Sequence, residues 1–272
     1  MKKVTKAAAL VLAIGMTMSV LAACGSNADS TAGTSNTAGS GADAAQGGTL
    51  TFGTNAEFPP FEFVTSNGVI DQYDGIDMAI AKQIAEENGM TAKIENMEFD
   101  SLVMALANGQ LDAVIAGMTI TDERLESVDF STPYYTATQV MIVKEDSDIT
   151  SAADMADKKI CVIQGYTGET CVQEMGYPYE AFKKGTEAVL ELVRGRCDVV
   201  VIDSATAQKY VGDNKGLKIV EDSAAFESEE YAIAVQKGNT ELLNMINKAI
   251  ETKLADGTIS ELSAQYIDES EE

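Results

Sequence analysis

From residue 49 onward the sequence switches between strand-type and helix-type apolar spacing, and it does so in two separate series. In the first, Leu50 to Gly53 reads as a strand. Phe61 to Tyr73 carries Asn67-Gly68 between apolar runs, the signal of a hairpin with a tight turn. Ile76, Ile80 and Ile84 recur four apart, which predicts a helix from Asp77 to Asn88 closed by Gly89. Thr91 to Glu95 is extended, Asp100 is placed to cap a helix through Asn108, and Leu111 to Ala116 has the continuous apolar character of a buried strand. The second series starts at Lys158: a strand from Ile160 to Ile163, a turn at Gly165, a helix after Thr167, a helix from Glu187 to Arg194, a strand from Asp198 to Ile202 and a helix from Ser204 to Val211. Such alternation predicts an α/β fold whose sheets are mainly parallel, joined by right-handed crossovers.

Two series imply two lobes, and the segments between them are extended. Thr138 to Lys144 leads out and Glu230 to Val235 leads back, so a pair of hinge strands is expected. Lobe 1 then comprises residues 49–137 plus 232–272, and lobe 2 residues 138–231. The last helix, Glu241 to Ala255, carries Leu242, Ile246, Ile250 and Leu254 on one stripe, stops at Gly257, and is followed by a short helix bearing Ile259, Leu262 and Tyr266. Both are expected to return to lobe 1.

The first 48 residues have a different composition. Lys2, Lys3 and Lys6 precede an apolar run from Ala7 to Ala23, the charged and hydrophobic parts of a secretory signal. The run is short for a membrane span. It ends Leu21-Ala22-Ala23-Cys24-Gly25, which resembles the lipobox of bacterial lipoproteins; that resemblance implies removal of residues 1–23 and acylation of Cys24. Gly25 to Gly48 contains no large apolar side chain, so nothing in it offsets the entropy of ordering. Residues 24–48 therefore read as a lipid-anchored tether, with a root-mean-square span of roughly 27 Å for a flexible coil. The expected location is the outer face of the cytoplasmic membrane, with the lipid as the sole membrane contact.

Charge and composition remove several functions. Nineteen basic residues against 43 acidic ones give a net charge of −24, and loss of the three leader lysines takes it to −27. A chain so acidic is a poor phosphate-backbone binder, so no nucleic-acid partner is expected. Histidine is absent, which removes Ser-His and Cys-His nucleophiles and the commonest zinc ligand. Neither a metal nor a cofactor is expected, and no phosphate-binding glycine motif is present. With Cys24 assigned, Cys161, Cys171 and Cys197 remain; an odd number leaves at least one thiol unpaired within the chain. A Cys161 to Cys171 bridge is the alternative to three small buried thiols, and the buried thiols are favoured.

Ligands of open α/β sheets lie beyond the carboxyl ends of the strands, near helix N-termini. The strand ending at Ala116 runs into Gly117-Met118-Thr119-Ile120-Thr121-Asp122-Glu123-Arg124, where Thr121 can cap a short helix with Arg124 one turn in. Backbone N–H groups and a guanidinium converge there, the means by which a carboxylate is held. In the second series Gln164-Gly165-Tyr166-Thr167-Gly168-Glu169 offers further amides, and Asp203 ends Asp198-Val199-Val200-Val201-Ile202 with one carboxylate for a cation. Arginine in one lobe and aspartate in the other suit the two ends of a zwitterion. Arg124 could instead pair with Asp122, Glu123 or Asp129, and Asp203 could cap the helix from Ser204.

Gly117 to Tyr135, Gly53-Thr-Asn-Ala-Glu-Phe-Pro-Pro-Phe61, Tyr73-Asp-Gly-Ile-Asp77 and Lys253-Leu-Ala-Asp-Gly257 resemble, in order and spacing over residues 49 to 268, the polar amino acid-binding proteins of ABC importers, family 3 of the extracellular solute-binding proteins. The resemblance implies a two-lobed, type II periplasmic-binding-protein-like fold that closes on a free L-amino acid, with an ABC permease and its ATPase as partners and a monomeric chain. It implies that Arg124 and the amides of Thr119 and Thr167 take the α-carboxylate. It implies that Asp203 and the carbonyl of Gly117 take the α-ammonium, and that Phe58 and Phe99 sandwich the ligand side chain. Asn55 stands where members selecting basic ligands have aspartate, so a charge for a basic tip is missing there; Glu57 and Asp100 flank the aromatics and are candidates to restore it. The expected ligand is neutral polar or basic before acidic.

Two rivals follow from the same residues. A dehydratase of the cyclohexadienyl type on this scaffold would use a cleft carboxylate as general acid, with Glu57 the suspect. A carboxylate at Asp203 favours an amino acid over a keto acid, and hence a non-enzyme. A detached receptor sensor domain is disfavoured because no membrane-spanning or output segment follows Glu272.

Overall fold

The computed structural model describes residues 47–268. The leader, Cys24 and all but the last two residues of the tether lie outside them. Two mixed sheets carry the molecule. The first runs Thr91–Asn96, Thr49–Thr54, Ala113–Val114, Ala234–Gln236, Val128–Phe130, with the first three strands parallel and the last two antiparallel. The second runs Tyr179–Phe182, Ile160–Ile163, Val199–Asp203, Tyr135–Lys144, Leu217–Val220, again parallel on one side and antiparallel on the other. Sheets are thus less parallel than expected, because the strands that connect the lobes run against their neighbours.

The sequence accounts for the central strands directly. Val199–Asp203 is buried at all five positions, as is Ile160–Ile163 at its four; β-branched residues on both faces suit a strand covered by helices on each side. Around the first sheet, helix Ile76–Glu87 buries Ile76, Ile80 and Ile84, and helix Phe99–Ala107 buries Leu102 and Leu106. Glu98, not Asp100, holds the N-cap position of the second of these, and no side chain caps it. The strand expected over residues 111–116 is paired only at Ala113–Val114, although the whole run is buried apart from Asp112.

The hairpin after Phe61 turns four residues later than Asn67-Gly68 suggests. Ile70 and Tyr73 exchange backbone hydrogen bonds of 3.1 and 2.9 Å across Asp71-Gln72, with Asp71 at φ 54°. Aspartate tolerates that left-handed conformation, so the turn forms without glycine.

Between the sheets, Tyr135–Lys144 pairs with Ser228–Tyr231 from Tyr135↔Tyr231 to Thr138↔Ser228, so outgoing and returning chains form one antiparallel ribbon. Helix Thr240–Ala255 buries Ile246 and Ile250, and helix Thr258–Asp268 packs against it and against Ile76–Glu87. Leu254, on the expected apolar stripe, is 44% exposed. Cys161 and Cys197 are buried free thiols and Cys171 is half-buried and free. Among the described residues no helix is long and apolar enough to cross a membrane.

Candidate functional site

Arg124 is fixed by its own helix start. Thr121 is the N-cap of helix Asp122–Ser127, and its Oγ1 accepts the Arg124 backbone N–H at 3.2 Å. From there the guanidinium reaches back across the cleft. Nη1 donates to the Thr119 carbonyl at 2.6 Å and Nη2 to the Gly165 carbonyl at 3.0 Å, and Cζ lies 5.2 Å from the centre of the Phe99 ring. None of the acids beside it in sequence holds it: among the described residues Arg124 makes no ion pair, and Asp129 pairs with Lys237 at 2.9 Å. Burial lowers the Arg124 pKa, opposed first by Glu229 and then by Asp203.

Asp203 ends the central strand of the second sheet. It occupies the N-cap position of helix Ser204–Asp213 by backbone geometry, yet its side chain makes no capping hydrogen bond. Instead Oδ1 accepts the Tyr231 hydroxyl. Desolvation raises the pKa of this buried acid to about 7, Glu229 adds to the rise, and the bonds from Tyr231 and Gln139 oppose it. Arg124 and Asp203, 79 positions apart in sequence, line the same cavity with Gly117, Thr119 and Thr167.

The aromatic residues are arranged differently from a simple sandwich. Phe58 and Phe99 both line the cavity, but Tyr166 stands against each: centroids are 5.3 Å apart at 87° to Phe58 and 4.5 Å apart at 61° to Phe99. The Tyr166 hydroxyl donates to Asn55 Oδ1 at 3.1 Å, and Asn55 Nδ2 donates to the Met97 carbonyl at 2.9 Å. Asn55 is therefore buried behind Tyr166 and does not line the cavity. Glu57 is also outside the lining; it pairs with Lys184 at 2.7 Å, while its carbonyl accepts the Tyr210 hydroxyl at 3.2 Å. Asp100 approaches Gly165 across the lobes and stays exposed. The cation over Phe99 is Arg124 itself.

Two acidic features carried no local signal. Glu229 lies in the run Glu227-Ser228-Glu229-Glu230, where nothing distinguishes it from its neighbours. The backbone places it: Thr119 bridges to Tyr231 and the Ile120 amide donates to the Glu230 carbonyl, so the ribbon lies along the Gly117 loop. Glu229 Oε2 then accepts from Thr119 Oγ1 at 2.8 Å, Thr167 Oγ1 at 2.7 Å and Gln139 Nε2 at 3.4 Å. Beneath the loop, Asp77 Oδ2 accepts the Gly117 amide and the Tyr134 hydroxyl, both at 2.8 Å. Burial raises the pKa of Asp77 to about 7 and that of adjacent Glu62 well above the carboxylate range, Glu62 further by repulsion from Asp77. Tyr166 did have a signal: a large aromatic in a glycine turn opening a helix, where small polar residues suffice.

A half-buried cation and a buried acid on one cavity can hold the two ends of a small dipolar molecule. The family profile of the bacterial extracellular solute-binding proteins, family 3, matches residues 50–269. A probable histidine-binding protein of Neisseria gonorrhoeae is 34% identical over 220 residues, 78% of this chain and 81% of that one. The arginine-binding extracellular protein ArtP of Bacillus subtilis is 33% identical over 223 residues, 80% and 85% of the two chains. Among solved structures, an ancestral arginine-binding protein bound to glutamine aligns with a TM-score of 0.75 at 44% identity, covering 80% of this chain and 97% of its own. With the profile spanning nearly all of the folded part and several relatives above 30% identity over most of their length, this chain belongs to the bacterial extracellular solute-binding proteins of family 3.

Proposed function

We propose that the chain is the substrate-binding component of an ABC importer, captures a free polar amino acid by closure of its two lobes, and delivers it to a permease and ATPase without chemical change. The observation that carries this reading is the joint presence of Arg124 and Asp203 on one cavity. Arg124 and the Thr119 and Thr167 amides receive the α-carboxylate; Asp203 and the Gly117 carbonyl receive the α-ammonium. The lobes, 49–137 with 232–272 and 138–231, rotate about the ribbon of Tyr135–Lys144 and Ser228–Tyr231. In the closed form each buried charge meets its opposite, which offsets its desolvation. Names of relatives for arginine and histidine support an amino acid as ligand class. Cys24 carries the lipid that keeps the monomer at the outer face of the membrane.

The dehydratase alternative needs a carboxylic acid free to give a proton. Glu57, its candidate, is held by Lys184 and lies outside the cavity lining, which supports binding over catalysis. Calorimetric titration with a panel of amino acids tests the reading. Binding abolished by both Arg124→Ala and Asp203→Ala is expected; binding unchanged in both variants overturns the site, and ligand recovered chemically altered overturns the non-enzymatic role.

A further inference from the structure

We infer that Tyr166 is a size filter, and that the site takes a small neutral amino acid, of serine size or below, in preference to long ligands such as glutamine or arginine. This inference rests on the amino acid reading above and narrows it. A ligand gripped at its α-carboxylate by Arg124 and at its α-ammonium by Asp203 must direct its side chain away from both, toward the aromatic wall of Phe58 and Phe99. Tyr166 already stands there. Its ring packs edgewise on both phenylalanines, 5.3 and 4.5 Å between centroids, and it is only 7% exposed. Tyr166 lines the same cavity as these two rings, Arg124 and Asp203.

Three contacts hold the ring in place. Its hydroxyl donates to Asn55, and Asn55 is in turn anchored to the Met97 carbonyl, so neither group is free to greet a ligand tip. Phe99, on which the ring packs, also carries the Arg124 guanidinium 5.2 Å from its centre. Lastly, Tyr166 is the N-cap residue of helix Thr167–Glu174, so its backbone is fixed by the same turn that presents Thr167. Admitting a long side chain requires the ring to leave this nest, breaking the Tyr166–Asn55 bond and both ring contacts. A hydrogen, methyl or hydroxymethyl group reaches less far toward the ring and is expected to leave it in place.

Isothermal titration of the folded chain with glycine, serine, glutamine and arginine tests the filter, with Tyr166→Thr as the opened variant. Serine is expected to bind the natural chain at least about tenfold more tightly than glutamine or arginine, since misfit of a few methylenes in a packed pocket is worth that much. Tyr166→Thr is expected to tighten glutamine or arginine by at least about tenfold, by the same measure. Glutamine or arginine binding the natural chain as tightly as serine would overturn the filter and leave the amino acid reading intact. If neither protein binds any of the four, both fall. The natural-chain comparison decides the filter even if the variant does not fold.

Discussion

The Tyr231 hydroxyl, at the end of the returning hinge strand, donates to the carboxylate of Asp203, at the end of the central strand of the second lobe. The bond ties the acid of the cavity to the ribbon about which closure is proposed, and it favours the charged form of an acid that burial drives toward neutrality. Tyr231→Phe removes that support. The Asp203 pKa should rise further, and affinity at pH 7 should fall about ten- to a hundredfold, the worth of one hydrogen bond to a charged group. Because the loss comes from protonation, it should shrink at pH 9; titration calorimetry at both pH values checks this, and an equal loss at both would assign Tyr231 a packing role only.

In the natural chain the same acid is expected to make ligand uptake proton-linked. Asp203 is raised to about 7, whereas pairing with an α-ammonium favours its carboxylate, so binding expels a proton below that pH. Affinity should fall by up to about tenfold per pH unit between 7 and 5, the slope of one linked proton. Heats of binding in buffers of different ionisation enthalpy report the released proton, and none should be released near pH 9.

Much of the fold was legible because its determinants are local. Val199-Val-Val-Ile can be little else than a covered strand, and the spacing of Ile76, Ile80 and Ile84 fixes a helix face. Tyr179–Phe182 was missed because Tyr-Glu-Ala-Phe shows no inward alternation; its pairing with Ile160–Ile163 makes it a strand. Leu254 was placed inward by period alone, whereas the last turn of its helix leaves the core there. In the cavity, Arg124 and Asp203 were readable from their positions at strand ends. Glu229 and the Glu62–Asp77 pair were not, because their proximity arises only when segments more than 10 and up to 110 positions apart are brought together by the sheets.

The Glu62–Asp77 pair predicts a pH dependence of stability. Both acids are raised above their unfolded values near 4, so proton binding favours the folded state below about pH 4, and the Asp77 contribution is lost as pH rises through about 7. Asp77→Asn keeps an oxygen to accept the Gly117 amide and the Tyr134 hydroxyl while removing one titrating group. The variant should gain stability relative to the natural chain as pH rises from 5 to 8, by about 1 to 3 kcal/mol, the scale of an uncompensated buried polar group. Thermal melts across that range measure the difference; a constant gap would remove the pair from the pH response.

Lys184 and Glu57 form an ion pair between the lobes at 2.7 Å, with side chains 42% and 26% exposed. Exposure on that scale limits its worth to below about 1 kcal/mol. Lys184→Ala should therefore weaken ligand binding by about twofold to fivefold at low salt, and the effect should vanish near 0.5 M salt, where the Debye length is down to about 4 Å. Small-angle scattering without ligand should show a slightly larger radius of gyration for the variant. A loss that persists in high salt would mean that the lysine acts through packing.

Gly117 joins the strand Ala113–Val114 to the cavity loop at φ 51°, in the left-handed region, and its amide is held by the buried Asp77. A Cβ there would lie 2.7 Å from Phe58 Cε1 and 3.0 Å from Cδ1, a distance real side chains do not tolerate. Phe58 cannot simply swing away, because it is buried and packs on Phe61, Tyr166 and Tyr231. Gly117→Ala thus combines left-handed strain, worth about 1 to 2 kcal/mol, with overpacking, worth about 1 to 3 kcal/mol. The expected outcome is a loss of about 2 to 5 kcal/mol in denaturant-induced unfolding, from those same two effects. Phe58→Leu in the same chain removes the ring that the methyl meets and should recover part of that loss. Recovery would locate the damage at the contact between loop and aromatic wall; a double variant no better than the sum of its parts would assign the whole effect to backbone strain at residue 117.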